Sequence, residues 1–277
     1  MLTCTHLKKR FREKVAVEDI SFVIHEGEIF ALLGRNGVGK TTTIKMILGL
    51  LPLDSGEVLV KEGVHIGYSP ETPYFPPFLS GREVLDHYGR IQGLAKATLQ
   101  PEIDRVMAIV GLEDSRIRVK NYSKGMLQRL AVAQALLGDP HLLILDEPTA
   151  GLDAIGRIEI LRLLIQMKAS GKTILLNSHV LGEVETVSDR AIIIDAGKTC
   201  STWIKNVKNT RSLEEVFIES VGGNLLARSV IGDLFTGMVE EDLDTETVER
   251  SHVWGQTEEA FLQSQEDCHE NYRAQCA

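Results

Sequence analysis

A glycine-rich segment near residue 40 carries the side chains whose types and spacing are best suited to chemistry. Gly34, Gly39, Lys40 and Thr41 fit the pattern G-x-x-x-x-G-K-[ST], between an apolar run and a helical pattern. In this pattern glycines let backbone N–H groups face phosphate oxygens, the lysine adds a positive charge, and the threonine hydroxyl can bind Mg²⁺. The segment therefore predicts a nucleoside-triphosphate site at a helix N-terminus, which itself favours an anion. The residues expected to contact the nucleotide are Gly34, Arg35, Asn36, Gly37, Val38, Gly39, Lys40, Thr41 and Thr42.

Two adjacent carboxylates form the second feature suited to chemistry. Asp146 and Glu147 follow the apolar run 142–145, which predicts a buried strand. Ligands of open α/β sheets bind at the carboxyl ends of such strands. We therefore expect Asp146 to join a Mg²⁺ site and Glu147 to polarise the attacking water. The alternative is a strand that merely ends in acidic residues, and the nearby phosphate-binding pattern favours catalysis over it.

The apolar runs and turn residues predict the elements that must position these groups. Strands that alternate with helices indicate an α/β fold with a largely parallel central sheet. The predicted strands are 15–24, 28–33, 141–145, 173–177 and 191–195. The predicted helices are 42–50, 82–93, 101–110, 154–169 and 180–187, with one more that follows residue 125 and ends near 138.

Three stretches depart from this alternation. The first two predicted strands, separated by a turn at 25–27, indicate an N-terminal antiparallel β part. The stretch of about 82–138 has helical patterns without strands between them, so we expect a helical insertion there. The window 70–81 contains four prolines and predicts a structured loop.

The net charge of −9 is concentrated at the C-terminal end of the 277 residues. Residues 222–277 contain 12 acidic and 3 basic side chains, so the first 221 residues are neutral overall. We expect one domain at 1–221, a break in helical pattern at Gly222-Gly223, and an acidic, partly disordered tail from there. The alternative for this tail is a docking or regulatory segment, in which Phe261 and Leu262 would be a short apolar contact. Without clustered Lys and Arg, nucleic acid is not expected as a partner.

The lengths of the apolar runs and the positions of the cysteines also limit the class of protein. No run approaches the roughly 18 apolar residues of a membrane helix, and the N-terminus becomes charged too early for a signal peptide. We therefore expect a chain that neither spans a membrane nor is secreted. The four cysteines are scattered, which is typical of a reducing compartment. Cys268, His269 and Cys276 match no common metal-ligand spacing.

Three further motifs identify a family. The run 145–153, LDEPTAGLD, resembles the Walker B and D-loop segments of ABC ATPases, and YSKGM at 122–126 resembles their signature motif. Ser178-His179 resembles their switch histidine. With the glycine-rich segment as Walker A, the motifs follow the family's order and cover residues 1–221. The resemblance implies a P-loop NTPase fold, an ATPase activity, and ATP and Mg²⁺ as ligands, with Thr41 and Asp146 at the metal.

The same resemblance implies a head-to-tail pair of ATPase domains. Each ATP would lie between the Walker A segment of one copy and the signature of the other, so Ser123 and Gly125 would contact the partner's γ-phosphate. His179 would contact the γ-phosphate, and Asp153 would bridge the two copies. A plain helix cap is the alternative for Ser123, and the two roles are compatible.

Two positions match the family less closely. Phe11 falls where the family places an aromatic residue that stacks on adenine, with core packing as the alternative. Glu71 falls within the window 66–71, where the family usually has glutamine. A carboxylate at that place can bind Mg²⁺ or order water. The resemblance thus implies that Glu71 contributes to catalysis and to the Mg²⁺ site.

The resemblance favours a transport ATPase of the ABC-2 exporter type, peripheral to the cytoplasmic face of the cell membrane. Its expected partners are an integral-membrane permease encoded as a separate chain and a second ATPase subunit, identical or homologous. The alternative is a soluble ABC ATPase acting on nucleic acid or the ribosome. The single ATPase domain, the absence of a long heptad tract and the acidic balance disfavour it. A P-loop kinase or GTPase is disfavoured because no NKxD motif occurs.

Overall fold

The computed structural model describes residues 1–112, 117–205 and 211–227, with side chains described as far as Val221. The fold below is that of the compact unit Met1–Leu225. Residues 228–277, which include nearly all of the predicted acidic tail with Phe261, Leu262 and the Cys268, His269 and Cys276 group, lie outside the described residues.

Within the described residues, nine strands form one mixed sheet in the order β4-β1-β2-β9-β8-β3-β7-β6-β5. The strands are β1 Leu2–Phe11, β2 Lys14–Ile24, β3 Ile29–Leu33, β4 Ser55–Val60, β5 Ile66–Ser69, β6 Leu142–Asp146, β7 Thr173–Ser178, β8 Arg190–Asp195 and β9 Lys198–Ile204. From β8 to β5 all neighbours are parallel, whereas β1 pairs antiparallel with both β2 and β4. The sheet therefore joins a parallel core to an antiparallel part built from the N-terminal strands.

Seven α-helices accompany the sheet within the described residues. They are α1 Lys40–Ile47, α2 Gly81–Ile91, α3 Lys96–Val110, α4 Lys124–Leu136, α5 Ala154–Ala169, α6 Leu181–Val187 and α7 Leu213–Ala227, with a short 3-10 turn at Val119–Asn121. The described residues between β5 and β6 form α2, the 3-10 turn, α3 and α4, and contain no strand. None of the helices formed by the described residues has both the length and the hydropathy needed to cross a membrane.

The parallel strands lie between two apolar layers, which explains their continuous apolar sequences. Along β3, Ile29 and Leu33 belong to the core layer that includes α2, α3 and α4, whereas Phe30 and Leu32 belong to the layer under α1 and the antiparallel strands. Every side chain of β3, β6 and β7 is buried. Strands covered on both faces carry apolar residues at consecutive positions instead of alternate ones.

Three sequence expectations need correction. First, β2 and β3 are not partners across the turn at 25–27: β2 pairs with β1 and touches β9, whereas β3 lies between β8 and β7. Second, α3 begins at Lys96, five residues before the predicted start. Leu99 is buried in the core, and its backbone N–H donates a hydrogen bond to Ala95 O, which closes the first turn. Third, α7 continues across Gly222-Gly223, where a break was predicted.

Candidate active site at the carboxyl edge of the sheet

The glycine-rich segment forms the connection between β3 and α1, and its outer two glycines are fixed by close packing. A Cβ atom on Gly34 would lie 2.3 Å from the backbone oxygen of Ile194. Gly39 precedes α1 with φ of +110°, and a Cβ there would lie 2.4 Å from Ala16 O. No other residue type fits without moving the backbone, so both glycines hold the loop against neighbouring strands.

This loop borders an open cavity of about 520 Å³, which we call the cradle cavity. It is lined by Phe11, Lys14, Ala16, Asn36, Gly37, Gly39, Lys40, Thr41, Thr42, Glu71, Glu147, Asn177 and His179. Most of the predicted nucleotide and catalytic residues therefore meet in one place. Among the described residues of the loop, Gly34, Arg35 and Val38 do not line the cavity, and Val38 packs against the core instead.

Lys40 is buried beneath this loop and is held by it. Its Nζ donates hydrogen bonds to Gly34 O at 2.7 Å and Arg35 O at 3.2 Å, and lies 3.8 Å from Glu147 Oε1. Burial lowers the pKa of the lysine, while the charges of Glu147, Asp146 and Glu71 oppose that change. The ammonium group is thus already desolvated and placed to exchange carbonyl oxygens for phosphate oxygens.

Asp146 ends β6 and faces the hydroxyl of Thr41. Thr41 Oγ1 donates to Asp146 Oδ1 over 3.4 Å, and the side-chain amide of Asn177 donates to the same oxygen. Burial raises the pKa of the Asp146 carboxyl, and the charges of Glu71 and Glu147 add to this effect. A carboxylate and a hydroxyl are hard oxygen donors of the kind that Mg²⁺ prefers.

The predicted Mg²⁺ site is incomplete without the nucleotide. Within the described residues, no group of three or more His, Cys, Asp or Glu side chains converges to hold a metal ion. Mg²⁺ usually takes one or two protein carboxylates together with phosphate oxygens of a substrate. The facing pair of Thr41 and Asp146, with Glu71 at the same cavity, fits that pattern.

Glu147 follows directly and has an unusual backbone. Its φ is +49°, a left-handed conformation that costs a residue other than glycine about 1–3 kcal/mol. The residue is held there by the bond from its N–H to Asn177 O at 2.9 Å. Its Oε2 lies 2.8 Å from His179 Nδ1. The two predicted catalytic residues at the ends of β6 and β7 are therefore in direct contact.

Ser123, Gly125 and Asp153 lie elsewhere, around a second cavity of about 730 Å³ that we call the signature cavity. Ser123 Oγ accepts the N–H of Met126 and caps α4, so its predicted capping role is confirmed. Asp153 Oδ1 accepts the N–H of Gly156 and caps α5. The two cavities share no lining residue, so a single copy does not bring the signature to the cradle.

Phe11 lies at the end of β1, on the rim of the cradle cavity. The side chain is 46% exposed, so core packing, the alternative interpretation, is wrong. Lys9 Nζ lies 5.7 Å from the centre of its ring. An exposed aromatic face beside a phosphate-binding loop is suited to stacking on a base.

Sequence reasoning missed three residues of the cradle cavity, Lys14, Ala16 and Asn177. Lys14 begins β2, one residue before the predicted start of that strand, and Ala16 was assigned only to the strand. Asn177 is the last residue but one of β7, within the apolar sequence TILLNS. A buried amide at the carboxyl end of an otherwise apolar parallel strand was a usable signal, because that edge is where ligands bind.

Replacing Asp146 with asparagine is expected to stabilise the nucleotide-free protein by about 0.5–2 kcal/mol at neutral pH. The side chain is 1% exposed, and folding must bury a charge that asparagine lacks. Asparagine can still accept the amide N–H of Asn177. The measurement is the melting temperature of both proteins in EDTA, by calorimetry.

The pH dependence of that difference separates charge from packing. The pKa of Asp146 is higher in the folded protein than in the unfolded chain, so wild-type folding is favoured by protonation. The advantage of Asp146→Asn should therefore shrink as the pH falls from neutral towards the ordinary carboxyl pKa of 3.8. An advantage that stays constant over this range would contradict the electrostatic explanation.

Comparison with known proteins agrees with this geometry. A family model described as ABC transporter matches residues 17–150. The uncharacterised ABC transporter ATP-binding protein YhcH of Bacillus subtilis is 42% identical over 222 residues, which cover 76% of this chain and 71% of the relative. The Nod factor export ATP-binding protein I of Bradyrhizobium diazoefficiens is 38% identical over 202 residues, covering 69% of this chain and 66% of the relative.

Solved structures confirm the predicted α/β P-loop NTPase fold. A structure described as the ATP-binding subunit of an ABC transporter superposes with a TM-score of 0.71 at 29% identity. The match covers 80% of this chain and 99% of that one. Taken with the extent of the sequence identity to YhcH, these matches establish that the chain belongs to the ABC transporter family, among its ATP-binding proteins.

Proposed function

We propose that this chain is the ATP-hydrolysing subunit of an ABC-2 type exporter whose membrane-spanning part is a separate chain. The observation that carries the proposal is the cradle cavity, in which Lys40, Thr41, Glu147 and His179 converge from three neighbouring strand ends. The export direction is supported by the relative named for Nod factor export. The chain then acts at the cytoplasmic face of the membrane, bound to its permease.

Each residue of the cavity has a defined task in this function. Phe11 stacks on the adenine ring, and the loop amides of 36–42 with Lys40 bind the phosphates. Mg²⁺ held by Thr41 and Asp146 would neutralise charge on the β- and γ-phosphate oxygens. Glu71 adds a carboxylate that can bind the ion or order water near it.

Glu147 is the general base of this mechanism. Its carboxylate accepts a proton from the attacking water while His179 holds its Oε2. His179 is 43% exposed at its side chain, so the imidazole can also reach a γ-phosphate in the open cavity. The contact between the two side chains links the state of the base to the presence of phosphate.

A second copy, or a close homologue, completes each site. The signature cavity of one copy presents Ser123 and Gly125 at the N-terminus of α4, where free N–H groups favour phosphate. Asp153 lies on the same surface. Because these residues are remote from the cradle of their own copy, they serve ATP bound by the partner, and two ATP molecules close the dimer.

Replacing Gly125 with aspartate is expected to abolish ATPase activity while ATP binding by the single subunit is retained. The nearest atom to a Cβ at this position is Ser123 Oγ at 3.8 Å, so the monomer has room for the side chain. The added negative charge would face the γ-phosphate of the partner's ATP. Phosphate release and nucleotide binding, measured on the same preparation, test this.

The matched control is Ala97→Asp, which places the same charge at the second residue of another helix, α3, on an exposed surface. It should leave turnover near the wild-type rate. Normal turnover in Gly125→Asp would show that the signature cavity does not face nucleotide.

Identification of the permease tests the transport function. We expect Glu147→Gln with ATP to hold the closed dimer, and a tagged pull-down from detergent-solubilised host membranes to recover a polytopic membrane protein, identified by mass spectrometry. The control pull-down uses Gly125→Asp, in which the dimer should not close. Recovery of ribosomal or DNA-bound proteins without a membrane protein would overturn the transport function and leave the ATPase activity standing.

A further inference from the structure

Asn177 contacts both acidic residues of the active site. It lies opposite Asp146 in the parallel register of β6 and β7, and its Nδ2 donates to Asp146 Oδ1. Its backbone oxygen accepts the N–H of Glu147 at 2.9 Å. One residue of β7 therefore fixes the side chain that would bind the metal and the backbone of the general base.

The other end of the Asn177 amide is unused. The residue is 1% exposed and lines the cradle cavity. Its Oδ1 is buried and has no hydrogen-bond partner among the described residues. An ionised carboxylate can only accept, so Asp146 requires the nitrogen of the amide to face it, and the oxygen must point the other way. A buried amide oxygen without a partner is costly, and such groups in native proteins usually have a function.

We propose that Asn177 is a positioning residue of the metal site. Its side-chain nitrogen orients Asp146 for the ion, and its side-chain oxygen holds a water molecule that binds the ion. Both bonds to the Asp146 carboxylate from Thr41 and Asn177 go to Oδ1, which leaves Oδ2 for the ion. The Asn177 oxygen accepts a hydrogen bond from a water of the ion's hydration shell. Mg²⁺ keeps several waters when it binds with a nucleotide, so such a water is available. This inference rests on the proposed ATPase function.

The test measures metal affinity separately from nucleotide affinity and from turnover. The variant Asn177→Leu keeps the approximate size and removes both polar atoms. In the Glu147→Gln background, we expect the affinity of the ATP-bound protein for Mn²⁺, followed by electron paramagnetic resonance, to fall by about 10- to 100-fold. The affinity for ATP in EDTA should change by less than about threefold, because the phosphate-binding loop is intact.

Two further variants keep the experiment decisive. Asn177→Ser retains a hydroxyl that can donate to Asp146, and should lose less Mn²⁺ affinity than Asn177→Leu. If Asn177→Leu does not fold, a wild-type Mn²⁺ affinity in Asn177→Ser overturns the proposal. Thr173→Val is the matched control, since it removes a buried hydroxyl that accepts the N–H of Gly27 at the opposite end of β7. It should leave the metal affinity unchanged.

The possible failures are distinguishable. Equal losses of Mn²⁺ affinity and EDTA-measured ATP affinity in Asn177→Leu would show that the residue maintains the shape of the cavity, which overturns the metal role. An unchanged Mn²⁺ affinity in a folded Asn177→Leu protein would overturn it directly. A parent protein that binds no ATP at all would instead overturn the proposed function.

Discussion

Replacing Glu147 with glutamine is expected to slow ATP turnover by about two to four orders of magnitude, the usual contribution of a general base. The amide cannot accept a proton from water at neutral pH. Glutamine has nearly the same size as glutamate. It can still form a hydrogen bond with His179, which lies 2.8 Å from the carboxylate in the wild-type protein. The architecture of the cavity should therefore survive, and only the proton transfer should be lost.

Binding should respond in the opposite way to turnover. Glu147 Oε1 lies 3.8 Å from Lys40 Nζ, so the carboxylate is a negative charge close to the expected phosphates. Its removal should leave ATP affinity equal to or higher than that of the wild-type protein. The closed dimer should accumulate because hydrolysis no longer reopens it.

Phosphate release, nucleotide binding and size-exclusion chromatography with ATP measure the three effects. Glu62→Gln, a change of the same kind at an exposed position between β4 and β5, is the control and should behave as wild type. A native hydrolysis rate in Glu147→Gln would mean that another group activates the water. Loss of ATP binding together with activity would indicate a collapsed site instead of a missing base.

The position of this chemistry was predictable because the strands that carry it are buried on both faces. Such strands appear in sequence as short continuous apolar runs, as in Leu142–Asp146 of β6. Parallel strands place their carboxyl ends along one edge, so polar residues after separate runs are expected to meet. Glu147 was assigned to the site on this basis, Lys40 from the glycine-rich pattern, and His179 from its resemblance to the switch histidine of the family. The three residues are far apart in sequence and line one cavity. Their individual roles stay predictions.

The antiparallel part was less visible because its stability depends on distant contacts. In β1, Lys9 is buried although it interrupts the apolar pattern, because its Nζ contacts Asp54 Oδ1 at 2.7 Å, 45 residues away. The edge strand β4 is mostly exposed and lacks a clear alternation. A local apolar pattern does not reveal contacts with residues that are distant in sequence, so neither β1 nor β4 was predicted.

The backbone at Glu147 was also invisible in the sequence. A left-handed conformation at a residue other than glycine is set by its surroundings, here the bond to Asn177 O. The same applies to Asn177, whose importance follows from two bonds and an unpaired oxygen that only coordinates reveal. The residues of the site could therefore be predicted from the sequence, whereas the hydrogen bonds that position its carboxylates could not.

Replacing Lys40 with alanine is expected to weaken ATP binding by about 10- to 150-fold, the equivalent of a lost hydrogen bond to a charged group of about 1.5–3 kcal/mol. In the free protein the ammonium group is already buried, 5% exposed, so its dehydration is part of the cost of folding and not of binding. Bound ATP therefore gains the attraction of the ammonium group without the cost of dehydrating it.

The surrounding carboxylates should place the effect in the upper part of this range. The charges of Glu147, Asp146 and Glu71 all act on Lys40, and without it they face the incoming phosphates unbalanced. The same reasoning makes a further prediction about salt: since repulsion between like charges is screened by ions, added salt should narrow the difference between Lys40→Ala and wild type.

Isothermal titration with a non-hydrolysable ATP analogue at two salt concentrations measures both effects. The control is Lys45→Ala, which removes an exposed lysine from the last turn of the same helix and should bind normally. Wild-type affinity in Lys40→Ala would overturn the assignment of the cavity to phosphate. A loss of affinity that salt does not reduce would assign the effect to the missing hydrogen bonds alone, because contacts inside the loop are shielded from mobile ions whereas the open rim is not.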